Sequence, residues 1–207
     1  MKTAAFIPIK SHSTRVPGKN FRPWKGRPLY QWIIDRTLDA GCFADIFVDT
    51  DSVEIADYAI DRTVNVIRRA ASMATDDANG NDLMVHHVYR NSQFDAYFQL
   101  FATAPELRAE TIADCVRSLS ASPDNDSILT GRRMGGWFWL DDRHPLYRPD
   151  ILPRSQDWRG VWQESTGLYG IRRDAVCKHR QRIGATPIFH EITREEMVDI
   201  DDPEDLR

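Results

Sequence analysis

Ala4-Ala5-Phe6-Ile7-Pro8-Ile9 runs directly into Lys10-Ser11-His12-Ser13-Thr14-Arg15-Val16-Pro17-Gly18-Lys19-Asn20, and the junction between the two decides the fold. A short apolar run bounded by turn residues reads as a strand buried on both faces, the habit of a central parallel strand. Pro8 lies near its end, where the ladder is being left. The polar half carries the cations Lys10, Arg15 and Lys19 and the hydroxyls of Ser11, Ser13 and Thr14. At the carboxyl edge of a sheet, these groups and the loop's backbone amides match the needs of a polyphosphate. The same composition describes a solvated basic loop, and GxxxxGKS/T is absent, so this is not a Walker motif.

Downstream, strands and helices alternate. Leu29, Trp32, Ile33 and Leu38 follow helical spacing from an opening at Arg27-Pro28 to a stop at Gly41. Asp45-Ile46-Phe47-Val48 is a second strand that delivers Asp49-Thr50-Asp51-Ser52 to its end, with Ser52 or Asp51 placed to cap a helix from Val53 to Ile60. Capping accounts for those acids without a ligand. Further strands are expected at Asn65 to Arg69, Ala96 to Phe101, Ile128 to Thr130 and Glu164 to Ile171, with helices at Asp82 to Val88 and Ala109 to Leu119. This order predicts an α/β fold with a right-handed, mainly parallel sheet in three layers. His86 and His87 are adjacent on a helix, lack the spacing of a metal pair, and read as packing or surface residues.

At 207 residues the chain is one domain, 1–207, with room for a small insertion. Net charge is −4, which argues against a broad nucleic-acid surface and makes any cationic site local. Cys42, Cys115 and Cys177 are odd in number and far apart, and read as buried small hydrophobes, not as a disulfide framework or zinc site. No apolar run approaches membrane-spanning length and Met1-Lys2-Thr3 opens no signal sequence, so a soluble cytoplasmic protein without membrane partners is expected. Residues 131–162 break the pattern: Trp137, Trp139, Trp158 and Trp162 fall here among many Arg and Pro residues. Such a patch suits an interface, or closes an open edge of the core.

Several blocks in order resemble the CMP-sugar synthetases, the acylneuraminate and Kdo cytidylyltransferases: IPIKSHSTRVPGKNF, FVDTDSVEIADYA, RRAASMATDDANGNDLMVHHV, FATAPELR, ESTGLYGI and DIDDPEDL. The resemblance implies a three-layer α/β/α Rossmann-like nucleotidyltransferase fold, with 131–162 as an inserted dimerisation or substrate-lid segment and a homodimer as the assembly. It implies CTP and an acidic sugar-like acid as substrates, with CMP passing to the anomeric hydroxyl of a 3-deoxy-2-ulosonic acid and pyrophosphate leaving. Lys10, Arg15 and Lys19 then carry catalysis by neutralising the triphosphate, Lys10 standing where the family usually has Arg. Ser11, Ser13, Thr14, Asn20, Asn79 and Thr103 bind the nucleotide, and Arg68 or Arg69 meets the pyrimidine carbonyl. Glu164 and Tyr169 line the sugar site, and Arg154 offers a cation to the acid.

Alternation puts Asp199 and Asp201 on one side of an extended segment, where they suit Mg²⁺; Asp202 before Pro203 also reads as a helix start. Two departures stand out. Ser11-His12 occupies a place that is Gly-Gly in many relatives, which limits the backbone, and Phe101 stands where the common motif has Gln. They leave open a different acceptor, such as a phosphonate, or a non-catalytic nucleotide-binding relative.

Overall fold

In the computed structural model, which describes residues 1–75, 78–151, 154 and 160–206, the chain forms β1 (Thr3–Ile9), β2 (Pro23–Trp24), β3 (Arg27–Pro28), α1 (Leu29–Asp39), β4 (Asp45–Thr50), α2 (Val53–Asp61), β5 (Asn65–Arg68), α3 (Gly80–Arg90), β6 (Ala96–Leu100), α4 (Ala109–Ala121), β7 (Ser127–Met134), β8 (Val161–Arg172), α5 (Arg173–His179) and β9 (Pro187–Glu191). The main sheet has seven strands in the order β5-β4-β1-β6-β8-β7-β9. β1 lies parallel to β4 and β6, β4 to β5, and β9 to β7; only β8 runs against its neighbours.

Alternation along β1 builds the two sides of the core. Ala5, Ile7 and Ile9 face one apolar cluster with Ile33 and Ile34 of α1, Ile55 of α2 and Ile112 of α4. Ala4 and Phe6 face the other, with Met84 and Val88 of α3 and Val176 of α5. Helices therefore cover both faces of the sheet, and the expected three-layer fold is the observed one. β1 leads to β4 and β5 on one side of itself and the chain then crosses to β6 on the other. This reversal opens a crevice beyond the carboxyl ends of β1 and β6, where ligands settle in such sheets.

Local departures have local causes. Arg27-Pro28 opens α1, with Pro28 at its N-cap, and also closes a hairpin with Pro23-Trp24, because Lys25 and Gly26 both take positive φ, 47° and 87°, as a tight two-residue turn requires. α3 begins at Gly80, two residues before Asp82, because Asn79 caps it in a reciprocal box with Asp82. Ser52, not Asp51, caps α2 through Ile55 N–H. α5 and β9 were not foreseen. The helix expected after Pro203 is a turn over the described residues. Cys115 is buried but Cys177 is exposed, so the cysteines do not share one role.

The segment 131–162 is the far end of the β7–β8 hairpin. The strands continue into it as far as Met134 and from Val161, and Tyr147 packs against Trp137 at 4.6 Å and Trp139 at 5.9 Å. Trp137, Trp139, Leu140, Leu146 and Ile151 remain exposed. Trp158 and the stretch Ser155 to Asp157 lie outside the described residues. No helix among the described residues is long and apolar enough to cross a membrane.

Candidate active site

The basic loop leaves β1 at Ile9 and is tied down by its neighbours. Asp51, just past β4, accepts from Ser11 N–H at 2.6 Å and Ser11 Oγ at 2.7 Å. Burial would raise the Asp51 pKa, but these bonds hold its carboxyl below the usual range. Asn20, nearly buried, donates Nδ2–H to the Lys10 carbonyl at 2.8 Å. The loop turns at Gly18, whose φ of 66° lies in the left-handed region, and closes with Lys19 N–H on the Val16 carbonyl at 3.0 Å. Neither Ser11 nor His12 takes positive φ, so the loss of a Gly-Gly pair there does not strain the chain.

This loop walls a cavity of about 340 Å³ whose lining includes Lys10, Ser13, Thr14, Arg15, Lys19 and Asn20. Arg69, Met73 and Leu83 line it as well, as do Phe101 to Thr103 at the end of β6. Two cations meet one carboxylate: Arg15 Nη2 and Lys19 Nζ lie 2.9 and 3.1 Å from Asp201 Oδ1. Lys19 Nζ also donates to the Ile200 carbonyl at 2.9 Å. Ile200 N–H is in turn held by the Thr103 carbonyl at 2.8 Å, so the C-terminal segment is laid across the carboxyl edge of β6. Asp199 lies beside it. Its Oδ2 accepts from Thr166 Oγ1 at 2.6 Å, while its Oδ1 is buried with no partner.

Among the described residues no group of three or more His, Cys, Asp or Glu side chains is arranged to hold a metal. The protein therefore has two carboxylates to offer a hard cation here. An orphaned buried oxygen on Asp199 and the carboxylate of Asp201 fit such an ion, provided phosphate oxygens and water complete its shell.

Arg69, also in the lining, donates Nε–H to Asp49 Oδ1 at 3.0 Å and Nη2–H to the Asp49 carbonyl at 2.8 Å. Asp49 Oδ2 lies 2.7 Å from His87 Nε2, and the imidazole is stacked on Phe6 with centroids 4.6 Å apart. Burial alone would raise the Asp49 pKa, but His87 and Arg69 pull it below the ordinary range. Burial lowers that of His87 against the pull of Asp49, so the imidazole stays neutral and Asp49 is the counter-charge of Arg69. Of the two arginines, Arg69 faces the cavity; Arg68 is exposed and does not line it.

Other expectations need correction. Ser11 spends both its donors on Asp51, and Asn79 is exposed and spends its side-chain oxygen on the N–H groups of Asn81 and Asp82. Each orders the site without lining it. Arg154 is exposed and likewise not part of the wall. Glu164 and Tyr169 sit behind Phe101: Tyr169 Oη donates to Glu164 Oε1, and the tyrosine ring meets Phe101 edge-on at 6.1 Å. Burial first, then the bond to Glu164, pushes the Tyr169 hydroxyl well above its usual pKa, so it stays a donor. Arg182, which no motif marks, lies with its guanidinium carbon 3.7 Å from the Tyr169 ring centroid. In the sequence it is one more cation in the basic run after α5.

A family profile described as Cytidylyltransferase matches residues 4–136. The chain is 25% identical over 206 residues to N-acylneuraminate cytidylyltransferase A of Danio rerio, covering 96% of this chain and 47% of that one. It is 34% identical over 121 residues to CMP-N,N'-diacetyllegionaminic acid synthase of Legionella pneumophila, covering 56% and 52%. The chain thus spans about half the length of these curated relatives. Among solved structures, a CMP:2-keto-3-deoxy-manno-octonic acid synthetase complexed with CTP superposes with a TM-score of 0.70 at 18% identity, covering 99% of this chain and 95% of that one. At that identity the likeness is one of fold.

Proposed function

Because the chain belongs to the cytidylyltransferase family, we propose that it transfers CMP from CTP to the anomeric hydroxyl of an acidic 3-deoxy-2-ulosonic acid and releases pyrophosphate. The names of the relatives support the acceptor class: an acylneuraminate and a diacetyllegionaminic acid are both acids of this kind. The observation that carries the reading is the meeting of Arg15 and Lys19 on Asp201 at the cavity beyond β1 and β6.

The chemistry follows from what the chain can offer. A triphosphate entering the loop gives Arg15 and Lys19 phosphate oxygens in place of Asp201, and leaves that carboxylate facing the phosphates beside Asp199. Lys10, Arg15 and Lys19 then balance the charge that grows on the departing pyrophosphate as the acceptor oxygen attacks the α-phosphorus in line. Asp199 and Asp201 would hold Mg²⁺, whose charge would lower the repulsion met by that incoming oxygen. Arg69, fixed by Asp49, lines the same cavity and suits a carbonyl of the pyrimidine. Ser13, Thr14, Asn20 and Thr103 line the space between.

The test is whether the α-phosphoryl group of CTP, and of no other nucleoside triphosphate, reaches an ulosonic acid. A second copy of the chain is the proposed partner, since the β7–β8 hairpin ends in exposed Trp137, Trp139 and Leu140, which none of the described residues covers. Sedimentation equilibrium should give twice the chain mass, falling to the monomer in Trp139→Ser; a monomeric wild type contradicts the assembly.

A further inference from the structure

Arg182 is a cation outside the cavity wall, with Glu164 as its ion-pair partner. It follows α5, and its backbone N–H donates to Asn81 Oδ1 at 2.9 Å, which pins this loop to the start of α3. Its guanidinium carbon lies 3.7 Å from the centroid of Tyr169 and 5.6 Å from that of Phe101, a cation resting on the electron-rich faces of two rings. Nη2 is 3.8 Å from Glu164 Oε1, beyond hydrogen-bond reach. Among the described residues no oxygen accepts from the guanidinium, and the side chain is 24% exposed. A forked cation held by its face has its donors turned outward, the geometry that receives an oxyanion.

Two neighbours fit that reading. Gly80 makes the room: a Cβ there would lie 2.5 Å from Arg182 Nη1 and 3.3 Å from Gln99 Oε1. Gln99 is wholly buried and donates Nε2–H to the Gly80 carbonyl at 3.1 Å, yet its Oε1 has no partner. A buried amide oxygen without a donor is costly, and like Arg182 Nη1 it borders the space left by the missing Gly80 side chain. Phe101 divides the space. It lines the cavity with the triphosphate cations, while Arg182, Tyr169 and Glu164 lie behind it, so this cation serves a second anion and not the nucleotide.

Resting on the cytidylyltransferase reading, we infer that Arg182 receives the carboxylate of the acceptor acid and so sets the preference for an acidic acceptor. The Tyr169 ring holds the guanidinium in place, and Glu164 keeps an acceptor oxygen for a sugar hydroxyl. Arg182→Met removes the charge but leaves an apolar stem over Tyr169; Arg182→Lys keeps the charge and loses the fork.

The measurement is titration of N-acetylneuraminic acid and of Kdo, each beside its carboxamide, into protein filled with a non-hydrolysable CTP analogue. With Arg182→Met, acid affinity should fall roughly tenfold or more, as for a lost charged hydrogen bond. The preference for acid over carboxamide should vanish, and affinity for the CTP analogue should stay within about twofold. Arg182→Lys should fall between. Acid binding that survives Arg182→Met in a protein melting like the wild type overturns the assignment, and so does an equal loss of affinity for the CTP analogue. A wild type that binds CTP and neither acid overturns the proposed acceptor class, and the assignment with it.

Discussion

Arg69 reaches the cavity wall with its charge already matched. Asp49 takes its Nε–H and holds His87 with its other oxygen, and the three side chains are 4%, 2% and 0% exposed. Replacing Asp49 by Asn leaves a buried guanidinium short of its counter-charge, an expected loss of roughly 3–5 kcal/mol that urea denaturation would read. A change under about 0.5 kcal/mol, the size of an ordinary surface substitution, would contradict the pairing. The sequence marks only part of this triad. Arg69 stands out beside Arg68, but nothing in the spacing of His86 and His87 says that one ring is buried on Phe6. Ser11 and Asn79 read as nucleotide ligands because a hydroxyl or amide that serves the backbone looks, in sequence, like one that serves a ligand.

Elements carry the site by clamping one another. The loop after β1 hangs on Asp51 of the neighbouring strand's end, which is why an acid sits beside the capping Ser52. The C-terminal segment is clasped by Glu196, 1% exposed, which accepts from Thr111 Oγ1 at 2.5 Å and Arg108 Nη2 at 3.0 Å. Burial would raise the Glu196 pKa, but these bonds hold it below the usual range. Its folded-state pKa is therefore the depressed one. The stability it contributes is present above the unfolded value, about 4.3, and is lost as the pH falls through the folded value. Glu196→Gln should cost about 1–3 kcal/mol at neutral pH and flatten the decline of stability below about pH 4.3. An acid limb as steep as the wild type's would mean that Glu196 is not the clasp. β1, β4, β6 and their helices were legible from apolar period and turn residues. β9 and α5 were not, because a short edge strand and a seven-residue helix leave little periodicity.

At the scale of the whole molecule, the strand order makes the site. β1 and β6 are neighbours whose chains depart in opposite directions, and the basic loop after β1, Arg69 and the Asp199 to Asp201 segment all arrive at that gap. Residues some 180 positions apart, such as Lys19 and Asp201, meet only because of this topology, so their pairing was not readable in sequence although each residue was. On the proposed reading, this gap moves CMP onto an acid. The most direct measurement follows label from [α-³²P]CTP and, separately, from [γ-³²P]CTP, in the presence of Mg²⁺ and an ulosonic acid, with Asp201→Ala as the control. The α-label should appear in a sugar nucleotide and the γ-label in pyrophosphate, and transfer should fall by roughly 10² or more in Asp201→Ala. An α-label left in CTP or released only as CMP, or an Asp201→Ala protein as active as the wild type, would contradict it.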